Sequence, residues 1–114
     1  MLTWRSLEQA MRVELLYWDG CPSHPQALSD LRAAMQELGL DPDSVEVREV
    51  DTDDAADADR FVGSPTIRID GVDVVDPGDE PVGLTCRVYY RRDGRVVAVP
   101  DPDDLRDALR RAMK

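Results

Sequence analysis

Hydrophobic and polar positions recur along this chain at two periods, and the switches between them mark out its elements. Residues 12–18 are apolar on both faces apart from Glu14 and the flanking Arg12, the pattern of a strand inside a sheet. Ala27, Leu28, Leu31, Ala34, Met35 and Leu38 then fall at helical spacing. Ser23 and Gln26 have the spacing of a capping box that opens this helix, Gly39 supplies its stop and Pro42 its breaker. Val45, Val47 and Val50 mark a second strand, and the acidic stretch 51–60 holds at most a short, mostly solvated helix ahead of Phe61. Strand, helix and strand in this order predict a parallel pair with the helix packed on one face.

The second half reads as two hairpins and a closing helix. Residues 66–70 alternate with Ile67 and Ile69 inward, Asp70-Gly71 has the composition of a two-residue turn, and residues 72–75 return antiparallel. Past a loop over 76–83, residues 88–90 are expected to pair with 96–99 across Arg92-Asp93-Gly94. The last helix carries Asp101 as cap, Pro102 at its first position and Leu105, Ala108, Leu109 and Ala112 as its apolar stripe. Asp103 and Asp104 sit in its first turn, while Arg110, Arg111 and Lys114 lie at the negative end of its dipole. Residues 1–10 form a helical appendage carrying Trp4 and Leu7, with Met11 as an alternative start, and residues 11–114 form the folded domain.

Composition narrows the function. At 114 residues and 12.8 kDa the chain has material for one domain. It lacks both the run of about 18 apolar residues that spans a membrane and the apolar stretch of a secretion signal, so a cytoplasmic address is expected. A formal charge of −10 repels phosphate backbones and anionic lipid, which excludes nucleic acid and membrane as partners. Two cysteines are too few for a disulfide framework, so each is read for its own chemistry.

Cys21 falls where the first strand becomes the first helix. Unpaired amides and the helix dipole there favour a thiolate, the nucleophilic form of cysteine. The bland alternative is a small buried hydrophobe, but a Gly-Cys-Pro turn outside any apolar run favours reactivity. His24, one helical turn along, can hydrogen-bond or ion-pair with that thiolate, or can simply be solvated. Acidic pairs such as Asp53-Asp54 and Asp103-Asp104 read as solvated faces and helix starts.

The order of these elements, with Gly63-Ser64-Pro65-Thr66 leading the first hairpin, resembles the thioredoxin-like superfamily. That resemblance implies an α/β, thioredoxin-like βαβ-ββα sandwich over 11–114, here with an extra C-terminal hairpin. It also implies a cis Ser64-Pro65 bond beside the active cysteine. Where the family has Cys-x-x-Cys this chain has Cys21-Pro22-Ser23-His24, so the resolving thiol is missing from the motif. The fold's topology brings the loop after the fourth strand back towards Cys21, and Cys86 ends that loop. Cys86 is therefore either a distant resolving cysteine or a small packed residue. A disulfide between the two requires Cα atoms within roughly 7 Å.

A closer similarity is to small bacterial thioredoxin-like proteins sometimes labelled alkylmercury lyases. It rests on Cys21-Pro22, on Gly63-Ser64-Pro65-Thr66 with Asp70-Gly71, and on Cys86-Arg87-Val88-Tyr89 with Asp93-Gly94-Arg95. The expected function is thiol-disulfide exchange, with an accessible Cys21 as nucleophile, Cys86 as resolving group and His24 modulating the thiolate. Trp18, Pro22, Ser64, Pro65 and Thr66 are expected to line the substrate groove. Partners are a disulfide-bearing protein or a small thiol, no cofactor is implied, and exposed strand edges leave room for a homodimer. Two rivals stay open: a thiol binder of mercury or another soft metal that cleaves organomercurials with Asp19 as proton donor, and a non-catalytic interaction module. A structural zinc site is not assigned, because Cys21, His24 and Cys86 supply three ligands where four are needed.

Overall fold

The computed structural model describes residues 11–113, so the appendage predicted over 1–10 lies outside the described residues. Strand β1 (Val13–Tyr17) leads through a turn into helix α1 (His24–Glu37), a single 3-10 turn (Pro42–Ser44) and strand β2 (Glu46–Glu49). Helix α2 (Asp53–Asp59) follows, then strands β3 (Thr66–Ile69) and β4 (Val72–Asp73). A short hairpin of β5 (Tyr89–Tyr90) and β6 (Val96–Val97) precedes helix α3 (Pro102–Ala112). The four-stranded sheet is mixed, in the order β2-β1-β3-β4, with β1 parallel to β2 and antiparallel to β3. A mixed α/β architecture is therefore observed, and the predicted elements are present, with strands shorter than the apolar runs that announced them.

The alternation of β1 divides the core. Val13 and Leu15 face α1 and α3, where Leu31, Met35, Leu105 and Leu109 are buried against them, and Ile67 and Ile69 extend this face from β3. Leu16 points the other way, into a smaller cluster with Val50, Ala56 and Phe61 beneath α2. Glu14 shares that second face and is only 4% exposed. It is accommodated because the Arg12 and Arg48 guanidinium groups lie 3.2 and 3.3 Å from its carboxylate. Val47, one of the three valines that marked this strand, is 43% exposed, because β2 is an edge strand, and the buried Val45 and Val50 lie just beyond its ends.

Local chemistry sets most boundaries. Helix α1 closes in a Schellman motif, with the Leu40 amide donating to Met35 and the Gly39 amide to Gln36. Thr52 caps α2 through its hydroxyl to the Ala55 amide. Asp101 caps α3 by accepting from the Asp103 amide at 2.9 Å, and its other oxygen accepts from the Arg92 amide at 3.0 Å. The Arg92 amide, followed by that of Asp103, holds the Asp101 carboxyl below the ordinary range. One carboxylate thus ties the second hairpin to the last helix.

The opening of α1 departs from expectation. Ser23 occupies the N-cap position with φ −86° and ψ −6°, and makes no side-chain capping bond. A capping hydroxyl reaches the helix amides from extended backbone, which Ser23 does not adopt. Gln26 instead donates to Asp30, so no capping box forms. No helix among the described residues is long and apolar enough to cross a membrane.

Candidate functional site

Three chain segments converge at one end of the sheet. The first is the turn after β1, closed by the Cys21 amide donating to the Trp18 carbonyl at 3.0 Å. It delivers Cys21 to the threshold of α1. The second is Gly63-Ser64-Pro65-Thr66, the lead-in to β3, where the Ser64-Pro65 bond is cis. The third is residues 85–87, which lie alongside Ser64 in a parallel bridge. The Ser64 amide donates to Thr85 at 2.8 Å, and the Arg87 amide donates to Ser64 at 2.9 Å. This pairing sets Cys86 opposite Cys21, their Cα atoms 5.5 Å apart, and the two are joined in a disulfide that spans 65 positions of sequence.

The two cysteines are not equivalent. Cys21 is 3% exposed, whereas Cys86 is exposed. Cys21 was expected to be the accessible sulfur, and that expectation is corrected: Cys21 is buried, and Cys86, on the segment bridged to Ser64, is the exposed member of the pair. The Ser23 hydroxyl, freed from capping, lies 3.5 Å from the Cys21 sulfur. His24 makes no hydrogen bond to Cys21. Its ring stacks on Tyr17, with centroids 4.0 Å apart, and its buried Nδ1 has no partner among the described residues. Of the expected groove residues, Ser64, Pro65 and Thr66 are fully buried and form the floor beneath segment 85–87, while Trp18 is partly buried and Pro22 exposed.

Arg87 and Tyr89 hold this arrangement together. Arg87 is 4% exposed, and its guanidinium donates to the Val75 carbonyl at 2.7 Å and to the Thr66 hydroxyl at 3.1 Å. Asp73 lies 3.4 Å from the same guanidinium and is also paired with Arg68 at 2.6 Å. The Thr66 hydroxyl in turn donates to the Gly63 carbonyl. Tyr89 stacks beneath Arg87, 4.9 Å from guanidinium carbon to ring centroid, and donates its hydroxyl to the Pro65 carbonyl at 2.5 Å. Burial pushes the Tyr89 phenol above its ordinary value, so it remains a neutral donor at any physiological pH.

Sequence reasoning assigned no role to Arg87, Tyr89 or Asp73. The available signal was parity, since Arg87 and Tyr89 are two apart and share a face of an extended segment. Among the described residues no group of three or more His, Cys, Asp or Glu side chains is placed to hold a metal. The chain matches no known protein family, no curated protein and no solved structure.

Gly63 provides a first test of the geometry. Its φ of +145° disfavours a side chain, and a Cβ there would lie 2.9 Å from the Arg87 Cβ and 3.1 Å from its Cα. Gly63→Ala is expected to destabilise the fold by roughly 1–3 kcal/mol, as overpacked sites do, and to slow closure of the disulfide. Chemical denaturation and the rate of thiol loss on transfer from reductant into oxidised glutathione measure the two effects. An alanine variant that closes its disulfide at the wild-type rate refutes the claim that this contact positions Cys86.

Proposed function

We propose that this protein is a thiol-disulfide exchange protein of thioredoxin-like architecture, working through the Cys21–Cys86 pair. The carrying observation is the disulfide itself: it joins a cysteine at the start of a helix to an exposed cysteine on a separate segment. The strand order β2-β1-β3-β4, with a cysteine after β1 and a proline before β3, supports the thioredoxin-like reading of the fold. Exposure of Cys86 supports exchange over a purely structural bond, because thiols attack the sulfur they can reach. In the cytoplasm, the compartment this reading assigns, disulfides are rare and those that form are mostly transient ones in redox turnover. The partners are small thiols or proteins bearing accessible disulfides.

Titration of the folded chain in buffers of reduced and oxidised glutathione, read by intact mass, tests this. The expected result is reversible interconversion of two states differing by two hydrogen atoms, abolished by Cys21→Ser or Cys86→Ser. A disulfide that stays closed in the folded protein at every glutathione ratio overturns exchange and favours the interaction-module reading.

A further inference from the structure

We infer that exchange enters and leaves through Cys86, with Cys21 as the buried leaving and resolving sulfur, the reverse of the roles that chain order assigns. The inference rests on the exchange reading above and assigns its polarity.

Access decides the first step. Thiol-disulfide exchange requires the incoming sulfur to approach the sulfur it attacks directly. Cys21 is 3% exposed and bonded to Cys86, so protein closes off the approach to it. Cys86 belongs to the exposed side of the pair. An external thiolate therefore bonds to the Cys86 sulfur while the Cys21–Cys86 bond breaks. The electron pair of the broken bond stays on Cys21, which leaves as a thiolate. The Ser23 hydroxyl, 3.5 Å away, is placed to donate to it, and the adjoining start of α1 favours negative charge. A second external thiolate then attacks the outer sulfur of the mixed disulfide. It releases an external disulfide and the Cys86 thiolate, so the two electrons gained by the protein come from the two external thiols. Run in reverse, Cys86 attacks an external disulfide and expels one thiolate. Cys21 then attacks Cys86, expels the second and restores the bond.

This polarity requires Cys86 to stay in place when the bond opens, and the anchoring of its neighbour meets that requirement. Arg87 is held by Thr66, Asp73 and Val75 and stacked on Tyr89, and none of these contacts involves sulfur. The two main-chain bonds to Ser64 likewise involve no sulfur. Cys86 is thus presented to solvent from a fixed segment, with Cys21 waiting beneath it.

The test uses Cys21→Ser and Cys86→Ser variants of the full chain, each reduced, shown folded by circular dichroism, and exposed to glutathione disulfide. The Cys21→Ser variant, which keeps Cys86, is expected to take up one glutathione at least about tenfold faster than the Cys86→Ser variant, as thiol access dictates. A second measurement needs no variant: the oxidised wild type is mixed with limiting glutathione, quenched in acid, alkylated at its free thiols before the pH is raised, and digested with trypsin. The adduct is expected on peptide 69–87, which contains Cys86, and not on peptide 13–32, which contains Cys21. Equal or faster reaction of the Cys86→Ser variant, or an adduct on peptide 13–32, overturns the assignment while leaving exchange intact. If neither variant reacts and glutathione never opens the wild-type bond, exchange itself fails and this inference falls with it.

Discussion

Arg87→Ala is expected to lower the stability of the reduced chain by roughly 3–5 kcal/mol, the range seen when one partner of a buried ion pair is removed. Arg87 has few routes to replacement. Its guanidinium satisfies the Val75 carbonyl and the Thr66 hydroxyl, balances Asp73 and covers Tyr89. Truncation strips these groups of a shared donor and opens a void where the aliphatic stem packed. Asp73 keeps its pairing with Arg68, which places the effect towards the lower end of the range. Arg87→Lys is expected to recover only part of the loss, because an ammonium lacks the planar fork that reaches three acceptors at once. Urea denaturation with both proteins reduced gives the comparison, and a loss below about 1 kcal/mol, the value of an exposed pair, contradicts the anchoring role.

Opening the disulfide is expected to have an effect of similar size by a different route. A cross-link spanning 65 positions removes loop entropy from the unfolded chain worth about 4 kcal/mol. The oxidised protein should therefore exceed the reduced one in stability by about that amount, read from denaturation midpoints with and without reductant. The two predictions are coupled. The disulfide stabilises the native state fully only if that state already holds the two segments together, and Arg87 is what holds one of them. In Arg87→Ala the gap between oxidised and reduced stabilities should shrink, a non-additivity expected of neighbouring groups. Strict additivity would show that the segment keeps its place without the arginine.

Much of the frame was legible because its determinants are local. The stripe from Ala27 to Leu38 gave α1, the Asp70-Gly71 turn gave the first hairpin, and Asp101-Pro102 gave the start of α3. At Asp70 and Gly71 both φ values are positive, at 52° and 82°, as the tight turn demands. The capping box at Ser23 was misleading for an instructive reason. Its spacing is a property of the sequence, but a capping bond also needs extended backbone at the cap. The turn that delivers Cys21 to the disulfide imposes helical backbone on Ser23 instead.

The site itself was half legible. Cys21, Cys86 and Ser64-Pro65 were singled out and do meet, but the burial of their surroundings ran against hydropathy. In the segment after Cys86 the charged Arg87 points inward, while Val88 and Tyr90 are 49% and 65% exposed. Hydropathy alone would have reversed that parity. It is fixed by pairing to Ser64, since a shift of one residue would exchange every inward side chain for an outward one.

By itself, then, the amino-acid sequence determined the elements, the sheet's inward faces and the two sulfurs worth watching, because periodicity, turn chemistry and capping act within a few residues. Only the tertiary structure decided which cysteine is exposed and which is covered. That outcome depends on a single parallel bridge between segments more than 20 positions apart, and on a guanidinium whose partners come from β3 and from the stretch 73–75.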